Sequence, residues 1–213
     1  MLRPTSVIAL IWTALISTLA QAQSPIEPAA KSYIGAGLGM SSYRWNNNPA
    51  GGDNFCSAST ATLIHTCEDK PIGFKVFAGY NFNDYLGVEV SYYNAGKGEL
   101  TFTDTAADTL RQRVHLSGYG LSLVGTLPLG SVAYVSARAG VAAGSVLRRD
   151  DLNGVRIYKH EHTTAQPLLG LSLGAHLSRR AALRLDWDRV RGETVFEEEF
   201  EADLATLNLL YRF

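Results

Sequence analysis

Between Gly73 and Tyr92 the chain reads GFKVFAGYNFNDYLGVEVSY, and that stretch decides the fold. Phe74, Val76, Ala78, Tyr80 and Phe82 alternate with Gly73, Lys75, Phe77, Gly79 and Asn81. A period of two belongs to a strand, because successive side chains leave a pleated backbone on opposite faces; a helix would scramble it. Asn83-Asp84 supplies turn chemistry, and a second strand follows from Tyr85 to Ala95. The stretch therefore reads as a β-hairpin with one apolar face and one face of small and charged residues.

The same pattern extends in both directions. Val135, Ala137, Ala139, Val141 and Ala143 alternate with Ser136, Arg138, Gly140, Ala142 and Gly144. Leu183, Leu185 and Trp187 alternate with Arg184, Asp186 and Asp188. Eight strands are expected, at about 32–41, 72–82, 85–95, 113–127, 132–146, 164–177, 181–191 and 202–213. An even number of strands near ten residues each suits an antiparallel sheet tilted across a bilayer. The connections separate into two kinds. Asn83-Asp84, Pro128 to Ser131 and Ser178 to Arg180 are tight turns, whereas Ser42–Pro71, Gly96–Thr109, Leu147–Thr163 and Gly192–Glu201 are long and polar. Short and long alternate strictly, which puts every long connection at one end, as in outer-membrane barrels with short periplasmic turns and long external loops.

Composition agrees. Lys plus Arg is 19 against Asp plus Glu at 20, a net charge of -1, which excludes a nucleic-acid partner held by bulk electrostatics. A hydrophobic fraction of 46% excludes disorder. At the N-terminus, Arg3, the uncharged run Val7 to Leu19 and Ala20-Gln21-Ala22 follow the pattern of a secretory signal cleaved after Ala22. The expected organisation is a signal peptide at 1–22, a short lead at 23–31 and a transmembrane barrel at 32–213. In an exported chain, Cys56 and Cys67, the only two cysteines, read as one structural disulfide. Redox catalysis would want tighter spacing, and a metal would want more ligands.

Parity within each strand assigns the faces. Lys75, Glu89, Arg138, Arg184, Asp186, Asp188 and Arg212 share the side of the small residues. The opposite parity would set these charges against hydrocarbon at about 2–4 kcal/mol for each Arg or Lys near the midplane, so they are expected in the lumen as a charge network. Glu89 is expected to contact Lys75 or Arg138. Tyr80, Tyr92, Trp187, Tyr211 and Phe213 fall near strand ends on the apolar face, as an aromatic girdle requires. Leu207, Leu209, Tyr211 and Phe213 form one face of the last strand.

The Gly73–Tyr92 hairpin, with its lysine, Gly-Tyr, short turn and following Glu and Tyr, resembles the OmpA-like transmembrane domain. Tyr33-Ile34-Gly35-Ala36-Gly37-Leu38-Gly39 and Tyr211-Arg212-Phe213 are similar to that family's first and last strands. The resemblance implies an eight-stranded barrel in the outer membrane of a Gram-negative bacterium; the chain departs from the family in length, so a stand-alone barrel without the family's peptidoglycan-binding domain is expected. It also implies that Leu207, Leu209, Tyr211 and Phe213 are read by the outer-membrane assembly machinery. Expected partners are outer-membrane lipid, lipopolysaccharide and a host or cell-surface ligand for the loops. A monomer is expected, without cofactor, metal or catalytic residues.

The family hosts adhesins, structural proteins and narrow pores, so fold does not settle function. A structural or surface-interaction role is the first reading, a narrow low-conductance channel the second and a lipid A-modifying enzyme the third. Four local motifs are weighed against these. Gly35-Ala36-Gly37-Leu38-Gly39 lacks the helix a nucleotide loop needs. His176 with Ser178 suggests acyl hydrolysis but lies at the inner end of its strand. Lys159-His160-Glu161-His162 is read as a solvated loop tip rather than a metal site. Glu197, Glu198, Glu199 and Glu201 are read as a solvated acidic face, with divalent-cation binding as the alternative.

Overall fold

The computed structural model describes residues 31–46, 56, 63–68, 70–103, 108–193 and 199–213; the expected signal segment lies outside them. Nine strands occur among the described residues: β1 (Ser32–Asn46), β2 (Leu63–Glu68), β3 (Ile72–Asn81), β4 (Leu86–Thr103), β5 (Thr109–Leu129), β6 (Ala133–Leu152), β7 (Val155–His176), β8 (Ala181–Glu193) and β9 (Glu199–Arg212). Eight of them close a ring of antiparallel pairs in the order β1-β3-β4-β5-β6-β7-β8-β9. The closing seam runs from Tyr33↔Arg212 to Asn46↔Glu199. Closure leaves no sheet edge facing lipid, the condition for a strand protein to cross hydrocarbon.

The ninth strand, β2, lies in the first long connection. It pairs with β4 from Leu63↔Thr103 to Glu68↔Glu99, while β3 pairs with β4 lower down, from Phe74↔Asn94 to Asn81↔Gly87. One long strand thus serves two short ones in line. β4 shifts register between Asn94 and Lys97, and Gly96 there has φ 78°, the left-handed region that favours glycine.

The strands run further outward than their sequence pattern indicates, and this corrects the expected long loops. Leu147–Thr163 is not a loop but the outer part of a β6–β7 hairpin, turning at Asn153-Gly154. Both turn residues have positive φ, 50° and 81°, as a two-residue turn matched to strand twist requires. Asn153 Oδ1 accepts the Thr109 N–H at 2.8 Å, tying the turn to β5. Lys159-His160-Glu161-His162 consequently lies within β7, not at a loop tip. Most of Gly96–Thr109 is likewise strand.

Along the barrel axis the sidedness of the wall inverts. In the lower part the outward positions are apolar: Ile34, Leu38, Val76, Val90, Leu121, Leu171, Leu185 and Leu209 are all exposed. Tyr80 and Phe82, and Tyr211 and Phe213, pair their rings at the inner end, 5.8 and 6.4 Å apart. Phe74, Tyr92 and Tyr119 form an outer rim, with successive centroids 5.9 and 5.1 Å apart. Beyond that rim, outward positions on β5 become Arg111, Arg113 and His115, while Val114 and Leu116 are buried inward. The period of two continues with its polarity exchanged.

Candidate functional site

The lumen is filled in three layers. At the inner end Tyr33, Phe77, Tyr134, Ala182 and Leu210 pack together. Tyr33 meets Phe77 edge-on at 6.2 Å.

Above them lies a layer of six ionised side chains, each almost fully buried. Strands β3, β4, β6 and β8 contribute Lys75, Glu89, Arg138 and the Arg184/Asp186/Asp188 series, all at inward parity. Lys75 Nζ lies 2.7 Å from Asp188, 3.2 Å from Asp186 and 3.4 Å from Glu89. Arg138 reaches Asp188 at 2.6 Å, Asp186 at 3.4 Å and Glu89 at 3.8 Å, and donates to Ser172 Oγ at 2.6 Å. Arg184 holds Glu89 and Asp186, each at 2.8 Å. Every cation therefore meets both Glu89 and Asp186. Tyr33 also donates to Glu89 at 3.1 Å, and the Arg184 guanidinium lies 4.0 Å from the Phe77 ring centroid. Gly170 makes this geometry possible: a Cβ there would collide with the Asp188 carboxylate where it meets Arg138.

Arg212, the seventh charge of the sequence set, stands apart from the six. Its guanidinium lies 5.8 Å from the Tyr134 ring centroid, and no carboxylate is within ion-pair reach among the described residues. Parity carries the inward assignment of all seven. The pairing of Glu89 with Arg184, two positions from Asp186 on a strand not adjacent to β4, had no local signal.

The third layer is apolar, and sequence reasoning missed it. Tyr43, Tyr93, Leu100, Val114, Leu116, Val146, Leu168, Val190 and Leu204 close the outer half of the lumen. Tyr43 Oη donates to the Gly96 carbonyl at 2.9 Å and accepts the Leu116 N–H at 3.2 Å, so its polar tip is satisfied inside an apolar cluster. Cys56 and Cys67 are joined in a disulfide and pack against the same cluster.

The remaining sequence candidates resolve separately. Leu207, Leu209, Tyr211 and Phe213 are all exposed on the outer face of the last strand. Ser178 Oγ accepts the Arg180 and Ala181 N–H groups at 3.3 and 3.0 Å, shaping the β7–β8 turn. His176 stacks on Tyr134 at 5.0 Å. Gly35, Gly37 and Gly39 lie within β1. Glu201 pairs with Arg191 at 2.6 Å, while Glu197 and Glu198 lie outside the described residues.

A closed antiparallel ring with an apolar belt, aromatic rims and a filled lumen that holds a buried ionic layer defines an outer-membrane β-barrel. Residues 9–213 match the family described as outer membrane protein beta-barrel domain, and the chain belongs to that family. Its place is the outer membrane of a Gram-negative bacterium. Comparison with curated proteins gives no match. Among solved structures it is similar to Ail, the attachment invasion locus protein of Yersinia pestis. The identity is 13%, over 86% of this chain and 99% of that one, with a TM-score of 0.51. It is also similar to neisserial surface protein A, with 15% identity over 88% of this chain and 100% of that one and a TM-score of 0.55. At these identities the likeness is one of fold.

Proposed function

We propose that the protein is a closed outer-membrane barrel with a structural or surface-interaction role, performed by its external strands and first connection rather than by a pore or an active site. The observation that carries this reading is the filling of the lumen by three successive layers, two apolar and one ionic. An interior of eight strands is just wide enough for side chains to fill, so a packed lumen leaves no path for solute. The external half of β5, β6 and β7 instead offers a rigid surface beyond the membrane, stapled nearby by Cys56–Cys67.

Planar-bilayer recording tests the reading: low, intermittent conductance at most is expected, and a large steady current would overturn it. A cell-binding assay with and without the first connection locates the interaction. Unchanged lipid A masses in cells lacking the protein are expected if it is not a lipid-modifying enzyme. The barrel acts as a monomer, with lipopolysaccharide and outer-membrane lipid around it. Its last strand, with Leu207, Leu209, Tyr211 and Phe213, serves recognition by the assembly machinery; deleting Phe213 should lower the yield of folded, heat-modifiable barrel.

A further inference from the structure

Two walls of the external half treat their charges differently. On β1, β8 and β9, Arg44 and Arg189 meet Asp203 at 2.7 and 2.8 Å, and Arg191 meets Glu201. On β4 to β7 the outward positions form rows across neighbouring strands. Lys97 stands opposite His115; Arg113 stands opposite Arg149, which stands opposite Lys159. Like charges directly opposite one another on a sheet are destabilising unless a counter-charge intervenes. Arg113 has its counter-charges, Glu99 at 3.0 Å and Asp151 at 3.3 Å. Glu161 accepts from Ser145 Oγ at 2.8 Å. No ion pair reaches Lys97, Arg149 or Lys159 among the described residues, and Arg149 Nε is buried without a hydrogen-bond partner.

His115 belongs to this group. Its Nε2 lies 3.0 Å from Asn94 Oδ1, an oxygen that also accepts the Gly96 N–H, so Nε2 carries the proton. Burial first, then the Lys97 and Arg149 cations, hold this imidazole below its usual range, with Glu161 opposing them. His115 lies four residues outward of Tyr119 on β5. At about 3.3 Å per residue and a tilt near 40°, that is roughly 10 Å beyond the aromatic rim. This is the level of outer-leaflet headgroups, not of hydrocarbon.

We propose that Lys97, His115, Arg149 and Lys159 form a site on the outer wall of β4–β7 for the phosphate of an anionic lipid headgroup in the outer leaflet. A phosphate offers several acceptor oxygens to converging cations, and charge-assisted bonds to it are roughly twice as strong as neutral ones. The inference rests on the outer-membrane placement and not on the closed lumen, so conductance and lipid binding fail independently.

The test uses the mature barrel folded in phosphatidylcholine bilayers containing either lipid A with its phosphates or lipid A stripped of them. Lipid retained on the protein is measured by native mass spectrometry. The wild type should retain the phosphorylated form preferentially. R149Q/K159Q should lose that preference about tenfold, whereas R44Q on the opposite wall should keep it. K159Q alone, at an exposed position, should weaken it by about threefold and keeps the test open if the double variant folds poorly. In the wild type the phosphorylated lipid should also raise the His115 pKa, read by NMR, because a bound anion favours the imidazolium. Equal retention of the two lipids by the wild type, or equal preference in wild type and R149Q/K159Q, overturns the proposal. So does displacement of the lipid by an equal concentration of inorganic phosphate, which would mark a site for the free ion.

Discussion

The inner and outer halves of the barrel are built from the same strands with opposite dress. Within the membrane the wall is apolar outside, and six paired charges fill the midsection of the lumen. Beyond the Tyr92–Tyr119 rim the wall carries Arg111, Arg113, His115 and Lys159 outside, and Leu116, Val146 and Leu204 inside. Each half obeys its solvent: lipid cannot stabilise charge and water does not favour apolar surface. The lumen is thus closed by unlike means, an ionic layer with an apolar layer on either side of it. Ionic closure depends on each partner being present, because a buried charge left alone is costly. Apolar closure is graded, since a truncated side chain leaves a cavity whose cost depends on relaxation around it.

Breaking the ionic half should have the largest effect. Glu89→Ala removes the carboxylate that all three cations share. It should cost about 3–5 kcal/mol in urea unfolding and raise conductance in planar bilayers. Leu116→Ala in the outer half should cost about 2–4 kcal/mol by the same unfolding measurement while the membrane remains tight, because the ionic layer stays intact beneath it. A current through Leu116→Ala but not Glu89→Ala would reverse the assignment of the two closures. Cys67→Ser should leave the barrel heat-modifiable yet raise protease cleavage of the first connection, since the bridge contributes up to about 3 kcal/mol of loop constraint in the chain-entropy model. Free thiols at both cysteines in the exported protein would contradict that. Arg212→Ala should be the mildest, under about 1 kcal/mol, because its aromatic contact is the interaction it loses.

These two halves were unequally legible in the sequence. The inner half follows the rule that lipid-facing residues are apolar, so Lys75, Glu89 and Arg138 could be turned inward by parity alone. The outer half keeps the period but exchanges its phase. From Leu110 to Leu116, the apolar residues Val114 and Leu116 face inward while Arg111, Arg113 and His115 face outward. Against a lipid-facing pattern the residues before 113 read as a polar loop, as do those before 164 on β7, although β5 begins at Thr109 and β7 at Val155. Tested for a soluble barrel instead, the same residues would have matched. The partners of Glu89 were only half legible. Lys75 comes from the neighbouring strand of the hairpin, but Arg184 depends on side-chain reach across the lumen, which no spacing encodes.

The six-charge layer bears on how the chain enters the bilayer. Its members come from β3, β4, β6 and β8, so no single hairpin contains the whole set. A hairpin of β3 and β4 unites Lys75 with Glu89, yet leaves Arg138, Arg184 and the two aspartates to strands placed later in the chain. A partly inserted sheet would expose unmatched ions to an apolar medium, a penalty removed when the last strands arrive and the ring shuts. The lumen thereby disfavours intermediates, and insertion and closure become one cooperative event.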